Sequence, residues 1–130
     1  MAPLVVLLVC IHAVVAAWAL VGLLEWFVAV PWAPITNPEL PADLLVAHWL
    51  AMAATAAIFF VGLAFRLPAT ARLMVAAYVG LAAICAYETF AILTTAYRFH
   101  SMAAEYAAYL VLGAVLFWAP SVRRHFRLES

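Results

Sequence analysis

The sequence predicts an all-α integral membrane protein: four transmembrane helices in an up-down bundle, with both termini in the cytoplasm. Three observations predict it. The chain has 130 residues, 72% hydrophobic and 9% charged, with a mean hydropathy of +1.17. A soluble domain carries about 25% charged and about 45–50% apolar residues. Four apolar stretches approach or exceed the roughly 20 residues that cross a hydrocarbon core as a helix. The charged residues, finally, are sorted between alternate connections.

The first span is expected from Leu4 to about Val30, ended by Pro31. Its opening, MAPLVVLLVCIHAVVAAWAL, has no positive leading region, and the apolar run continues past Phe27. It therefore reads as a retained span rather than a cleaved leader. The second is expected over 42–65, between Pro41 and Pro68; the third over 70–97; the fourth over 101–119, before Pro120. Proline at span ends fits termination, because its ring and missing N–H do not continue a helix. Each span is helical because lipid cannot satisfy open backbone groups. The first and third stretches are long enough to call for tilt. No internal repeat, coiled-coil heptad or nucleotide-binding loop interrupts the chain, which reads as one domain over 1–130.

Orientation follows from the loops. The second connection carries Arg66 and Arg72, and the tail carries Arg123, Arg124 and Arg127. The first connection carries Glu39 and Asp43 and no positive charge. The excess of arginine on one side places the termini and the second connection in the cytoplasm. The expected location is the inner (plasma) membrane, crossed several times. Trp26 and Trp32 suit an outer aromatic belt, and Trp118 and Phe126 an inner one. The proline-rich segment from Pro31 to Pro41 reads as a stiff connector or as a lid. Net charge is zero, which leaves no basic footprint for nucleic acid.

Each span holds one ionisable residue at a comparable depth. Glu25 lies six residues before Pro31, about 9 Å from that end of its helix. His48 lies seven residues after Pro41, about 10 Å in. Glu88 lies nine residues before Tyr97, about 14 Å in. Glu105 lies four residues after Ser101, about 6 Å in. A charged side chain facing lipid costs about 2.5–3.5 kcal/mol on insertion scales, so the four are expected to converge inside the bundle. Helical spacing supports this. His48, Met52, Thr55, Phe59 and Gly62 share a face of the second span, and Leu81, Cys85, Glu88, Ile92 and Thr95 one of the third. Trp18, Gly22 and Glu25 share a face of the first, and Glu105, Tyr109 and Gly113 one of the fourth, with small residues allowing close approach. His12 falls outside this level, near the cytoplasmic end. His100 and His125 are interfacial.

A carboxyl group in hydrocarbon resists ionising unless paired, and imidazole is a suitable partner. One buried acid beside one buried base is the equipment of general acid–base catalysis. The leading expectation is therefore a small membrane enzyme that isomerises, cyclises or opens an epoxide in an isoprenoid-, sterol- or polyketide-like substrate. Glu88 would be the main acid or base and His48 its partner, with Glu25 and Glu105 as further proton carriers. Trp26, Trp49, Tyr87, Tyr106 and Tyr109 would line the slot and face a developing cation. Glu and His inside a small helix bundle is similar to the layout of the emopamil-binding sterol isomerases, an architectural likeness with no aligned motif. No cofactor is expected: the Glu-x-x-His pairs of di-iron bundles are absent, and for haem His12 and His48 lie near opposite surfaces while His100, the other candidate partner of His48, falls in a short loop. Two other readings stand beside the enzyme: an accessory subunit of a larger membrane complex, and a small proton-coupled transporter. The expected partners are the lipid bilayer and an apolar small molecule, and the expected assembly is a homodimer or a larger membrane complex. Cys10 and Cys85 lie roughly 15 Å apart in depth, too far for a disulfide.

Overall fold

The computed structural model describes residues 2–28 and 39–127. It is all-helical: α1 Pro3–Val28, α2 Ala42–Phe65, α3 Thr70–Tyr87 continued by a π-helical turn Glu88–Ile92, α4 Arg98–Trp118 and a short α5 Pro120–His125. Four stretches are long and apolar enough to cross a membrane: Pro3–Phe27, Ala42–Phe65, Thr70–Ile92 and Arg98–Trp118. Four apolar helices of this kind make the chain a membrane protein by length and composition. The proline-rich connector or lid, with Trp32 inside it, falls outside the described residues except for its last three positions.

The ends of the helices have local causes. Asp43 places a carboxylate in the first turn of α2 and accepts from the Leu44 N–H at 2.9 Å, favourable at the positive end of the helix dipole. α2 stops at Arg66, whose φ of 51° is left-handed, and the Leu67 N–H folds back to the Gly62 carbonyl at 3.0 Å; Pro68 follows. Pro120 takes the first position of α5, where its missing N–H costs nothing.

α1 packs along α2, α2 along α3, and α3 along α4, while α5 turns back onto α1. One core ties the start of α1 (Val5, Leu8), the end of α2 (Phe59), the start of α3 (Ala71, Met74, Tyr78) and the end of α4 with α5 (Leu116, Val122, Phe126). Phe126 was expected at a membrane surface; it is fully buried in this core because α5 folds inward. Trp18, expected on the inward face of α1, is exposed. The inward face there runs through Val5, His12 and Ala19, seven residues apart. α4 is the least covered of the long helices, with Leu116 its one buried residue.

Two contacts set the helix spacing. An ideal Cβ on Gly22 would sit 2.3 Å from Trp49 Cε2, and one on Gly62 would sit 2.1 Å from Thr70 Oγ1. Glycine is required where α1 meets the Trp49 indole and where α2 meets the start of α3.

Candidate functional site

The third span was expected to run as helix to Tyr97. Instead α3 widens at Glu88, and the Leu93 N–H reaches back five residues to the Glu88 carbonyl at 2.8 Å. This π turn turns two consecutive side chains, Glu88 and Thr89, into the interior. Leu93 is then extended, its carbonyl accepts from the Arg98 guanidinium, and α4 begins three residues ahead of the expected start. Such turns recur at functional sites, because they displace side chains from the regular helical stripe.

Glu88 Oε1 lies 2.8 Å from His48 Nδ1, across the α2–α3 seam. Side-chain exposure is 7% for Glu88 and 19% for His48. With the carboxylate accepting, the Nδ1 proton is fixed; Nε2 has no hydrogen-bond partner among the described residues. Glu105 is close enough to act electrostatically on both His48 and the Cys85 thiol, and Thr89 also reaches that thiol. The Tyr109 hydroxyl donates to Glu105 one helical turn away. The Tyr106 hydroxyl donates to the Ala82 carbonyl at 2.8 Å, fastening α4 to α3 beside the cluster. His48, Glu88, Glu105, Cys85 and Tyr109 thus converge from three helices.

A second buried polar line approaches from the core end. His12 is fully buried; its Nδ1–H donates to the Leu8 carbonyl at 2.7 Å, and its Nε2 is 2.9 Å from the Tyr78 hydroxyl. With Nδ1 committed as donor, the neutral ring accepts from Tyr78. The His12 ring stacks on Phe59 at 4.0 Å, and the Tyr78 ring stacks on Tyr109 at 5.3 Å. Sequence reasoning set His12 aside on depth alone. The signal that would have found it is its seven-residue spacing from Val5 and Ala19.

The remaining expected site residues lie elsewhere. Both Glu25 carboxylate oxygens are buried without a hydrogen-bond partner among the described residues, and no described contact joins Glu25 to the cluster. Trp49 is buried, its ring against Gly22. Trp26 and Tyr87 are 49% and 59% exposed. Tyr87 borders a recess of about 310 Å³ on the surface of the α2–α3 seam, with Leu44, Ala47 and Ile92. Among the described residues no three His, Cys, Asp or Glu side chains are arranged to hold a metal ion. Cys10 and Cys85 are both free.

Comparison with protein-family models, with curated proteins and with solved structures finds no match.

Proposed function

We propose that this chain is a small multi-pass enzyme of the plasma membrane, an up-down four-helix bundle with both termini cytoplasmic, that performs general acid–base chemistry on an apolar substrate. The observation that carries the reading is the 2.8 Å pairing of His48 Nδ1 with Glu88 Oε1, at a π-helical turn between apolar spans. A carboxylate that holds one ring nitrogen fixes the tautomer and leaves the other nitrogen to move a proton. His48 Nε2 is therefore the group that exchanges protons with substrate, and Glu88 orients it and balances the imidazolium. This reverses the emphasis expected from sequence, where Glu88 led. Glu105, bonded by Tyr109 and near His48, is the second proton carrier. The substrate class is an isoprenoid, sterol or polyketide that enters from the bilayer.

The test is deuterium exchange. Purified wild-type protein is incubated in D2O with an apolar lipid extract, beside His48→Ala and Glu88→Gln, and the lipids are analysed by mass spectrometry. A lipid species that gains deuterium only with the wild type supports the reading and reveals the substrate. Equal labelling in all three samples overturns it and leaves the pair as a contact that holds α2 to α3, as an accessory subunit would need.

A further inference from the structure

The α3–α4 seam holds an aromatic groove. Its volume is about 450 Å³, within the range of small-molecule sites, about 300–1,000 Å³. Tyr78 of α3 and Tyr106, Tyr109, Phe117 and Trp118 of α4 are among its walls, and no charged residue is among the described ones. From Tyr106 to Trp118 the groove follows α4 for roughly 18 Å, so its occupant is elongated. Leu110 and Trp118, both in the walls, are 75% and 76% exposed, which leaves the groove open toward the bilayer.

Sequence spacing gathers these rings, and hydrogen bonds fix them. Tyr106, Tyr109, Gly113 and Phe117 recur at three- and four-residue intervals and so share one face of α4. The Tyr106 hydroxyl donates to the Ala82 carbonyl, that of Tyr109 to Glu105 and that of Tyr78 to His12. Tyr78 and Tyr109 stack across the seam, 5.3 Å apart and 12° from parallel. Three of the five rings are therefore held in place before anything binds. Gly113 keeps the space between the helices open, since a Cβ there would come no nearer than 3.7 Å, to Val75 Cγ2.

Hydrophobicity does not decide what occupies such a groove, because lipid tails are as apolar as leucine. A flexible acyl chain that leaves the bilayer for the groove gains no apolar burial and loses conformational freedom. A rigid, flat ring system has little freedom to lose, and it stacks on aromatic side chains that are already fixed. We propose that the groove binds a flat, uncharged molecule of fused aromatic rings. An ionic group along the rings would find no counter-charge in the described walls. The groove also reaches the acid–base cluster, because Tyr109 in its wall donates to Glu105, which acts electrostatically on His48. The inference deepens the acid–base reading and rests on it for the reaction: it narrows the substrate from isoprenoid, sterol or polyketide to an aromatic, polyketide-like molecule.

The experiment is native mass spectrometry of the full chain in detergent, titrated separately with three neutral alcohols. Pyrenemethanol carries fused aromatic rings, cholestanol carries saturated rings, and oleyl alcohol is a flexible chain. Pyrenemethanol is expected to bind about tenfold more tightly than either of the others, the scale of one or two aromatic stacking contacts. Gly113→Leu and Leu110→Trp each fill the groove and are expected to abolish that preference. Thermal melting confirms that each variant is folded, and Leu110→Trp, at an exposed position, carries the test should Gly113→Leu not fold. Equal binding of the three alcohols overturns the proposal, as does tighter binding of cholestanol or oleyl alcohol. A folded groove-filling variant that binds as the wild type does overturns it too. Binding is read without turnover, so a failed deuterium-exchange experiment removes the reaction and leaves this site, while failed binding overturns the site and not the His48–Glu88 chemistry.

Discussion

His12 and Tyr78 are bonded to each other inside the bundle, Nε2 to hydroxyl at 2.9 Å, although they stand 66 positions apart in the chain. The bond joins α1 to α3, with the His12 ring stacked on Phe59 and the Tyr78 ring on Tyr109. Interhelical hydrogen bonds in membranes average about 0.6 kcal/mol by double-mutant cycle, with a maximum near 1.7. The cycle of His12→Phe, Tyr78→Phe and the double variant is expected to give a coupling in that range. Unfolding in mixed micelles measures it, and a coupling of zero would mean that the two side chains do not bond.

Gly22 and Gly113 make a contrasting pair. A Cβ on Gly22 meets the Trp49 ring at 2.3 Å, whereas one on Gly113 comes no nearer than 3.7 Å, to Val75 Cγ2. Gly22→Ala is expected to destabilise by about 1–3 kcal/mol, the cost of overpacking a filled contact. Trp49→Leu should recover part of that loss in the double variant. Gly113→Ala is expected to stabilise by up to about 1 kcal/mol, the difference in helix propensity. Equal effects at the two positions would contradict the packing of α1 on Trp49.

Thr94 donates through both its N–H and its hydroxyl to Glu39 Oε2, at 2.7 and 3.1 Å. The carboxylate comes from just before α2 and clasps the connection between the π turn and α4. Glu39→Ala is expected to shift global stability by only about 0.5 kcal/mol, since Thr94 is exposed. Its effect is local: the Thr94 amide should lose protection in hydrogen exchange while amides inside α2 keep theirs. Unchanged protection at Thr94 would show that the clasp does not hold the loop.

The four apolar helices were legible because span length is a property of composition. The second was placed at 42–65, as observed. The third was expected to end at Tyr97 because nothing in Glu88–Ile92 forbids a regular helix; the π turn is set by what packs around it. α5 lay hidden behind Pro120, which signals an end as well as it signals a first helical position. In the site, depth and chemistry together brought His48, Glu88 and Glu105 to one place. Depth and facing admitted Glu25, whose carboxylate oxygens have no hydrogen-bond partner among the described residues, and depth set aside His12, which is buried on the inward face of α1.

The His48–Glu88 pair yields the sharpest test of whether the cluster is a site or a fastening. Removing one member of a buried, hydrogen-bonded pair leaves the other desolvated and unpaired, a loss of about 1–3 kcal/mol. Replacing both by apolar residues of similar volume is often neutral or stabilising. His48→Leu and Glu88→Leu are each expected to melt below the wild type, and the double variant is expected to melt above both. Should the double variant also match or exceed the wild type, the pair lowers stability, as functional groups commonly do. Should it melt lower than either single variant, the pair is a net stabilising contact, and the acid–base proposal would rest on deuterium exchange alone.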